Sequence, residues 1–234
     1  NEFNANDSLN LADTTSFACQ IQQRPDPSST TRHAGTTLML IDHNADSLMD
    51  ILIGDVGTNR SNLAISSGPV EDPIMTDAIY AYPGNAVNDH IDAGSNSSPA
   101  FVDYNSDGKM DLMVGNFVSN FLVGDTIRGK TELHLYENIG TNTQPAYQLR
   151  TRDFMSFSQN FPFILRAVPT FGDLDDDGDI DMLIGASNGR IYRFNNQAGP
   201  GNTVAFTLDP GQFLFDEDFV PVFAGSSANP VLED

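Results

Sequence analysis

The sequence predicts an all-β chain of four-stranded blades, a segment of a β-propeller, on three observations. An aspartate-rich nonapeptide recurs three times at similar spacing. Each copy runs into three apolar residues and a glycine. The intervals between copies read as short strands broken by turn residues, with no run of ten or more residues at helical periodicity. Four strands per repeat of about 60 residues is the pattern of propeller blades, which shield their edges by radial repetition.

The nonapeptides are Asp42-His-Asn44-Ala-Asp46-Ser-Leu-Met-Asp50, Asp103-Tyr-Asn105-Ser-Asp107-Gly-Lys-Met-Asp111 and Asp173-Leu-Asp175-Asp-Asp177-Gly-Asp-Ile-Asp181. They lead into Ile51-Leu-Ile-Gly54, Leu112-Met-Val-Gly115 and Met182-Leu-Ile-Gly185. Their first aspartates lie 61 and 70 residues apart, and Asp234 lies another 61 residues on. Asn229-Pro230-Val-Leu-Glu-Asp234 matches Ser98-Pro99-Ala-Phe-Val-Asp103 and Val168-Pro169-Thr-Phe-Gly-Asp173, so Asp234 reads as the first ligand of a fourth, cut-off loop.

Within a repeat, a proline-led strand enters the first aspartate and a second strand leaves the loop. A third carries alternating apolar residues, and a fourth lies outside it. Glu132–Asn138 aligns with Arg190–Asn196, and Ala146–Leu149 with Ala205–Leu208, which leaves 12 extra residues in the second repeat around 116–130. Leu133, Leu135 and Ile191 alternate with polar neighbours, predicting half-buried third strands. Between 68 and 97 only Ala78-Ile-Tyr-Ala-Tyr82 reads as a strand. The expected division is an N-terminal segment over 1–36 that suits the outer strand of a preceding blade, blades over 37–98, 99–168 and 169–229, and the start of another at 230–234.

Oxygen ligands at offsets 0, 2, 4 and 8 with a tight turn at offset 5 suit a hard cation taking six to eight oxygens at about 2.3–2.6 Å, which is calcium. The predicted ligands are Asp42, Asn44, Asp46 and Asp50; Asp103, Asn105, Asp107 and Asp111; and Asp173, Asp175, Asp177 and Asp181. The seventh positions, Leu48, Lys109 and Asp179, are expected to add a backbone carbonyl. EF-hands share the first offsets but need a glutamate at the twelfth position, where this chain has Ile53, Val114 and Ile184. The third loop has four ligand carboxylates, whereas the others have three plus an asparagine, and the first has Ser47 where the turn glycine belongs. Affinity is therefore expected to fall from third to second to first.

The net charge of −21 comes from 32 acidic and 11 basic residues, and twelve of the acids sit in the three nonapeptides. That balance argues against nucleic acid and against charge-driven binding to anionic membranes. No run of about 20 apolar residues predicts membrane insertion. One cysteine, Cys19, rules out an internal disulfide framework. The chain starts with Asn and carries no signal-peptide pattern, so it reads as a processed or excised piece. Loops of this kind belong where calcium is plentiful, outside the cell.

Asp-x-Asp/Asn-x-Asp-Gly-x-x-Asp leading into three apolar residues and glycine, in repeats of about 60 residues, resembles the FG-GAP/VCBS repeat family, which includes the propeller of integrin α chains. Phe171–Gly185 with Gly189–Asn196 after it is the closest stretch. Arg32-His33-Ala-Gly-Thr36 and Tyr136–Tyr147 further resemble secreted surface proteins of Bacteroidota, many exported by the type IX route. The resemblance spans roughly 32–234. It implies a seven-bladed, calcium-stabilised propeller serving adhesion, with a protein or glycan partner at the cell surface and the rest of the propeller or parent protein as its neighbour.

No catalytic constellation is evident. His33, His43, His90 and His134 are scattered, and no Gly-x-Ser-x-Gly elbow, phosphate loop or His-Glu-x-x-His pair occurs. The expected function is non-catalytic binding. The alternatives are a propeller accompanying a secreted polysaccharide-active enzyme and a plain spacer. Phe117, Phe121 and Leu122 make the insertion the candidate partner-contact loop, the alternative being a loop packed against its own blade.

Overall fold

Three four-stranded antiparallel sheets succeed one another along the chain in the computed structural model, which describes residues 36–55, 61–70, 74–80, 82, 91, 93, 97–116, 119–123 and 126–232. The first sheet contains β1 (Thr36–Ile41), β2 (Asp50–Asp55), β3 (Ser61–Ser67) and β4 (Ile74–Ile79), paired in that order. The second contains β5 (Ser98–Val102), β6 (Asp111–Gly115), β9 (Leu133–Asn138) and β10 (Tyr147–Thr151). The insertion between β6 and β9 is a separate hairpin, β7 (Ser119–Val123) with β8 (Thr126–Lys130). The third sheet contains β11 (Val168–Gly172), β12 (Asp181–Gly185), β13 (Ile191–Asn196) and β14 (Phe206–Phe213). A 3-10 turn at Phe154–Ser156 and one α-helical turn, α1 (Phe157–Asn160), lie between β10 and β11.

The repeat alignment holds residue by residue in the second and third sheets. Leu112 faces Tyr136 and Met182 faces Phe194, while Tyr147 faces Asn138 and Phe206 faces Asn196. Cys19, Arg32, His33, His90, Phe117 and Asp234, with the whole segment 1–35, lie outside the described residues.

The sheets stack face to face, and β6 shows how. Leu112 and Val114 join a core with Leu52, Leu63, Ile91 and Tyr136, whereas Met113 joins the opposite core with Leu133, Phe157, Met182 and Phe194. Side chains alternate across a strand, so a strand buried on both faces needs an unbroken apolar run, and each nonapeptide leads directly into such a run. The same burial corrects the half-exposed third strand: Leu133, His134, Leu135 and Tyr136 are all buried. A second correction concerns the fourth strand of the first sheet. It spans Ile74–Ile79, and Tyr82 lies beyond it, buried and bonded through its backbone N–H to Ser61 O. Its apolar character serves the core and not a strand.

The glycine closing each apolar run marks contact with the next sheet. A Cβ on Gly54 would strike the carbonyl oxygen of Ser97, one on Gly115 that of Ala167, and one on Gly185 that of Ala228. Matching hydrogen bonds run from Ala167 N to Asn116 O (2.9 Å) and from Ala228 N to Ala186 O (3.0 Å). Segment 229–232 thus meets the third sheet as β11 meets the second. The first strands of the three sheets, each at a sheet edge, lie side by side, β5 between β1 and β11. Among the described residues no sheet closes on itself.

Candidate metal centre

Each acidic loop joins the first strand of its sheet to the second, and all three share one set of internal bonds. The first-position carboxylate accepts two backbone N–H groups: Asp42 from Asp46 (3.0 Å) and Ser47 (2.9 Å), Asp103 from Asp107 (3.1 Å) and Gly108 (2.9 Å), Asp173 from Asp177 (3.2 Å) and Gly178 (2.9 Å). The N–H groups of Leu48, Lys109 and Asp179 bond Oδ1 of Asp46, Asp107 and Asp177 at 2.8, 2.9 and 3.0 Å. These bonds leave Oδ2 of each fifth residue without a backbone donor; Asn44 Nδ2 meets it in the first loop and the Lys109 ammonium in the second. Positive φ recurs at the fourth position (Ala45, Ser106, Asp176) and the sixth (Ser47, Gly108, Gly178).

The ninth-position aspartates sit deeper. Asp50 accepts the backbone N–H groups of Ser66 (2.7 Å) and His43 (3.0 Å), and Asp111 those of Asn138 (2.7 Å) and Tyr104 (3.2 Å). Asp181 accepts that of Asn196 (2.8 Å), but no hydrogen bond of normal geometry reaches its buried Oδ2, whose cationic neighbour is Arg193 at 3.7 Å. Burial pushes Asp111 up to about 6 against the pull of its two N–H donors, and it raises Asp181 as well, with the Asp175 charge adding.

The third loop draws Asp173, Asp175 and Asp177 together so that one oxygen from each lies within 4.8 Å of the others. Arg193 reaches into this group, 3.3 Å from Asp175 Oδ2. In the second loop the Lys109 ammonium pairs with Asp107 Oδ2 at 3.0 Å and donates to Asn138 O at 3.0 Å, which holds Asp107 below the usual carboxylate range. Asn105 Oδ1 accepts the Asp107 N–H (3.1 Å), and Asn44 Nδ2 donates to Asp46 Oδ2 (2.9 Å). An all-oxygen donor set, with a buried Asp181 Oδ2 whose cationic neighbour Arg193 stands beyond hydrogen-bond distance, fits a hard divalent cation.

The remaining candidates have other surroundings. His43 Nδ1 lies 3.2 Å from Tyr82 OH, and burial lowers its pKa against the pull of Asp50 and Asp42. His134 is buried, with Nε2 3.5 Å from Glu132 Oε2. Phe121 and Leu122 fall in β7.

Sequence reasoning missed the opposite end of the third sheet. Segment 214–224 is fastened to the β12–β13 turn through Leu214 N to Ile191 O (2.9 Å) and Ala224 N to Gly189 O (2.8 Å). It exposes Phe215, Val220 and Phe223, and Phe219 at 87 % exposure with φ +58. Phe163 and Leu165 are exposed on the adjoining connection, where Phe163 meets Tyr192 and Leu165 O accepts the Ser187 N–H. Scattered phenylalanines gave no periodic signal, and only the fold assembles them. Neither the protein-family models nor the curated proteins compared with this chain give a match.

Proposed function

We propose that this chain is a calcium-stabilised β-propeller segment of the FG-GAP/VCBS type from a secreted or cell-surface protein, binding a protein or glycan partner without catalysis. The observation that carries the reading is the third loop, where three carboxylates converge in a backbone cage that the other two loops repeat. Calcium would supply the charge that such a convergence lacks. Asp173, Asp175, Asp177 and Asp181 would hold it, with the Asp179 carbonyl; the second and first loops would use Asp103, Asn105, Asp107 and Asp111, and Asp42, Asn44, Asp46 and Asp50.

Two features support a propeller. The same sheet-to-sheet contact recurs at Gly54, Gly115 and Gly185. In addition, four inner segments, at 37–40, 98–100, 168–170 and 229–232, line one groove of about 520 Å³. Leu38 and Val231 remain 67 % and 85 % exposed, as open flanks of an unfinished ring would be. The remainder of the parent protein is the neighbour that would cover them. The aromatic end, remote from the acidic loops, supports a binding role, since exposed apolar patches of this kind mark interaction sites. Among the described residues no helix is long and apolar enough to cross a membrane.

The deciding measurement is thermal melting with calcium and with chelator. A melting temperature several degrees higher in calcium is expected, and coincident curves would sink the reading.

A further inference from the structure

Between the second and third sheets, beside the third loop, lies a cavity of about 120 Å³ lined by Asp103, Ser106, Asp179, Asn196 and Asn202. Its central feature is the Asp179 side chain, which is not among the ligands expected of the loop; there only the Asp179 carbonyl is assigned. Asp179 is 5 % exposed. Its Oδ2 accepts the Gly199 N–H at 3.0 Å, while its Oδ1 is buried without a hydrogen-bond partner. Of the described residues lining the cavity, none is basic.

The second loop shows what this position requires. Its counterpart of Asp179 is Lys109, whose ammonium sits between Asp107 and the carbonyl of Asn138, the counterpart of Asn196. There the chain provides its own positive charge among acidic loop oxygens. In the third loop the side chain is reversed in sign, and Asp177, Asp181 and Asp103 add further negative charge nearby. Gly199 satisfies Oδ2 alone, and a buried carboxylate whose other oxygen meets neither cation nor donor is left with much of its charge uncompensated.

We propose that this cavity is a further cation site, additional to the three loop sites but sharing the Asp103 carboxylate with the second, in which Asp179 Oδ1 holds a partly hydrated divalent cation bridging the second and third sheets. The donors are all oxygen: Asp179 and Asp103 carboxylates, the Ser106 hydroxyl and the Asn202 carbonyl, which already accepts the Ser106 Oγ–H at 3.0 Å. The volume corresponds to roughly four water molecules, enough for an ion that keeps part of its hydration shell. The site joins neighbouring sheets where the second loop touches the β13–β14 turn, also bonded through Val204 N to Tyr104 O at 2.9 Å. It therefore clamps blade to blade, whereas a loop ion stiffens one blade. The inference rests on the calcium-loop reading only for the class of ion.

The test uses the full chain, stripped with chelator and reloaded with calcium, with bound ions counted by native mass spectrometry and located by anomalous scattering after exchange to manganese. Wild type should bind one ion more than Asp179→Asn, a nearly isosteric change that keeps the loop carbonyl. The missing ion should lie about 2.3–2.6 Å from Asp179 Oδ1. Ser106→Ala, on the far wall, should weaken that ion several-fold and spare the loops. Asp179→Lys should lose it too, yet stay folded in chelator. Ions in the loops with only water in the cavity overturn the inference and leave the loop reading intact; ions in neither place overturn both.

Discussion

Asp111 Oδ1 accepts the backbone N–H of Asn138 at 2.7 Å, tying the start of β6 to the end of β9. Its other oxygen accepts the N–H of Tyr104 inside the acidic loop. The carboxylate is thus a structural strut before it is a ligand, and Asp50 and Asp181 make the corresponding bond to Ser66 and Asn196. Asp111→Ala would leave buried donors unsatisfied, which destabilises by about 3 kcal/mol. That loss should appear in urea denaturation with chelator as well as with calcium. Asp107→Ala, at an exposed position, should lower stability mainly in calcium, with only a small loss in chelator from its exposed bonds to Lys109.

The loops differ in how much charge the chain already supplies. Lys109 neutralises Asp107 within the second loop, whereas the third brings three carboxylates together with only Arg193 reaching Asp175. Asp177→Ala should therefore remove about 2–3 kcal/mol of calcium-linked stability, the scale of a ligand present at roughly 100 times its dissociation constant. Asp46→Ala should remove less than about 1 kcal/mol. In chelator, Asp177→Ala should melt at or above the wild-type temperature, because removing one of several crowded carboxylates relieves repulsion. Paired calorimetric scans with calcium and with chelator separate these outcomes.

How much of the fold and the loops is legible in the sequence depends on the physical range of each signal. The strands at Asp111–Gly115 and Asp181–Gly185 are readable because double burial demands a local apolar run. The insertion shows in the register of the repeats, but its hairpin form does not, since pairing of β7 with β8 has no counterpart in the other repeats. The loop cage is legible from aspartate spacing, although positive φ at Ala45, Ser106 and Asp176 is not, as none is glycine. Tyr82 looks like a strand residue because burial and strand pairing favour the same residue types. The aromatic end and the Asp179 cavity depend on segments distant in sequence, so no window of residues contains them.

Ser47 occupies the turn position at φ +69, where the other loops use Gly108 at +80 and Gly178 at +88. A side chain in the left-handed region costs about 1 kcal/mol relative to glycine, and Ser47 is exposed, with its N–H rather than its hydroxyl bonded to Asp42. Ser47→Gly should therefore raise stability by up to about 1 kcal/mol in chelator, less whatever glycine gains in unfolded-state entropy. It should also tighten calcium at the first loop, because the cage then forms without strain. Titration of the variant monitored by melting checks both effects; a destabilised variant with weaker binding would show that the strain is offset elsewhere.

Gly115 is the tightest test of packing between neighbouring sheets. Its hydrogen atoms face the carbonyl and side chain of Ala167, and the Ala167 N–H is fixed to Asn116 O at 2.9 Å, so neither partner is a flexible side-chain end. A methyl group there must push β11 away from the second sheet. The displacement would open the core that holds Met113, Phe157 and Met182. Overpacking of this kind costs typically about 1–3 kcal/mol, and backbone opposition places Gly115→Ala at about 3 kcal/mol. Gly108→Ala is the contrasting control. Nothing lies within 4 Å of its missing Cβ, so its penalty comes from φ +80 alone and should be about 1 kcal/mol. Equal losses for the two variants in denaturant titration would mean that the sheets part easily, and that the repeated glycines serve local conformation instead of contact between neighbouring sheets.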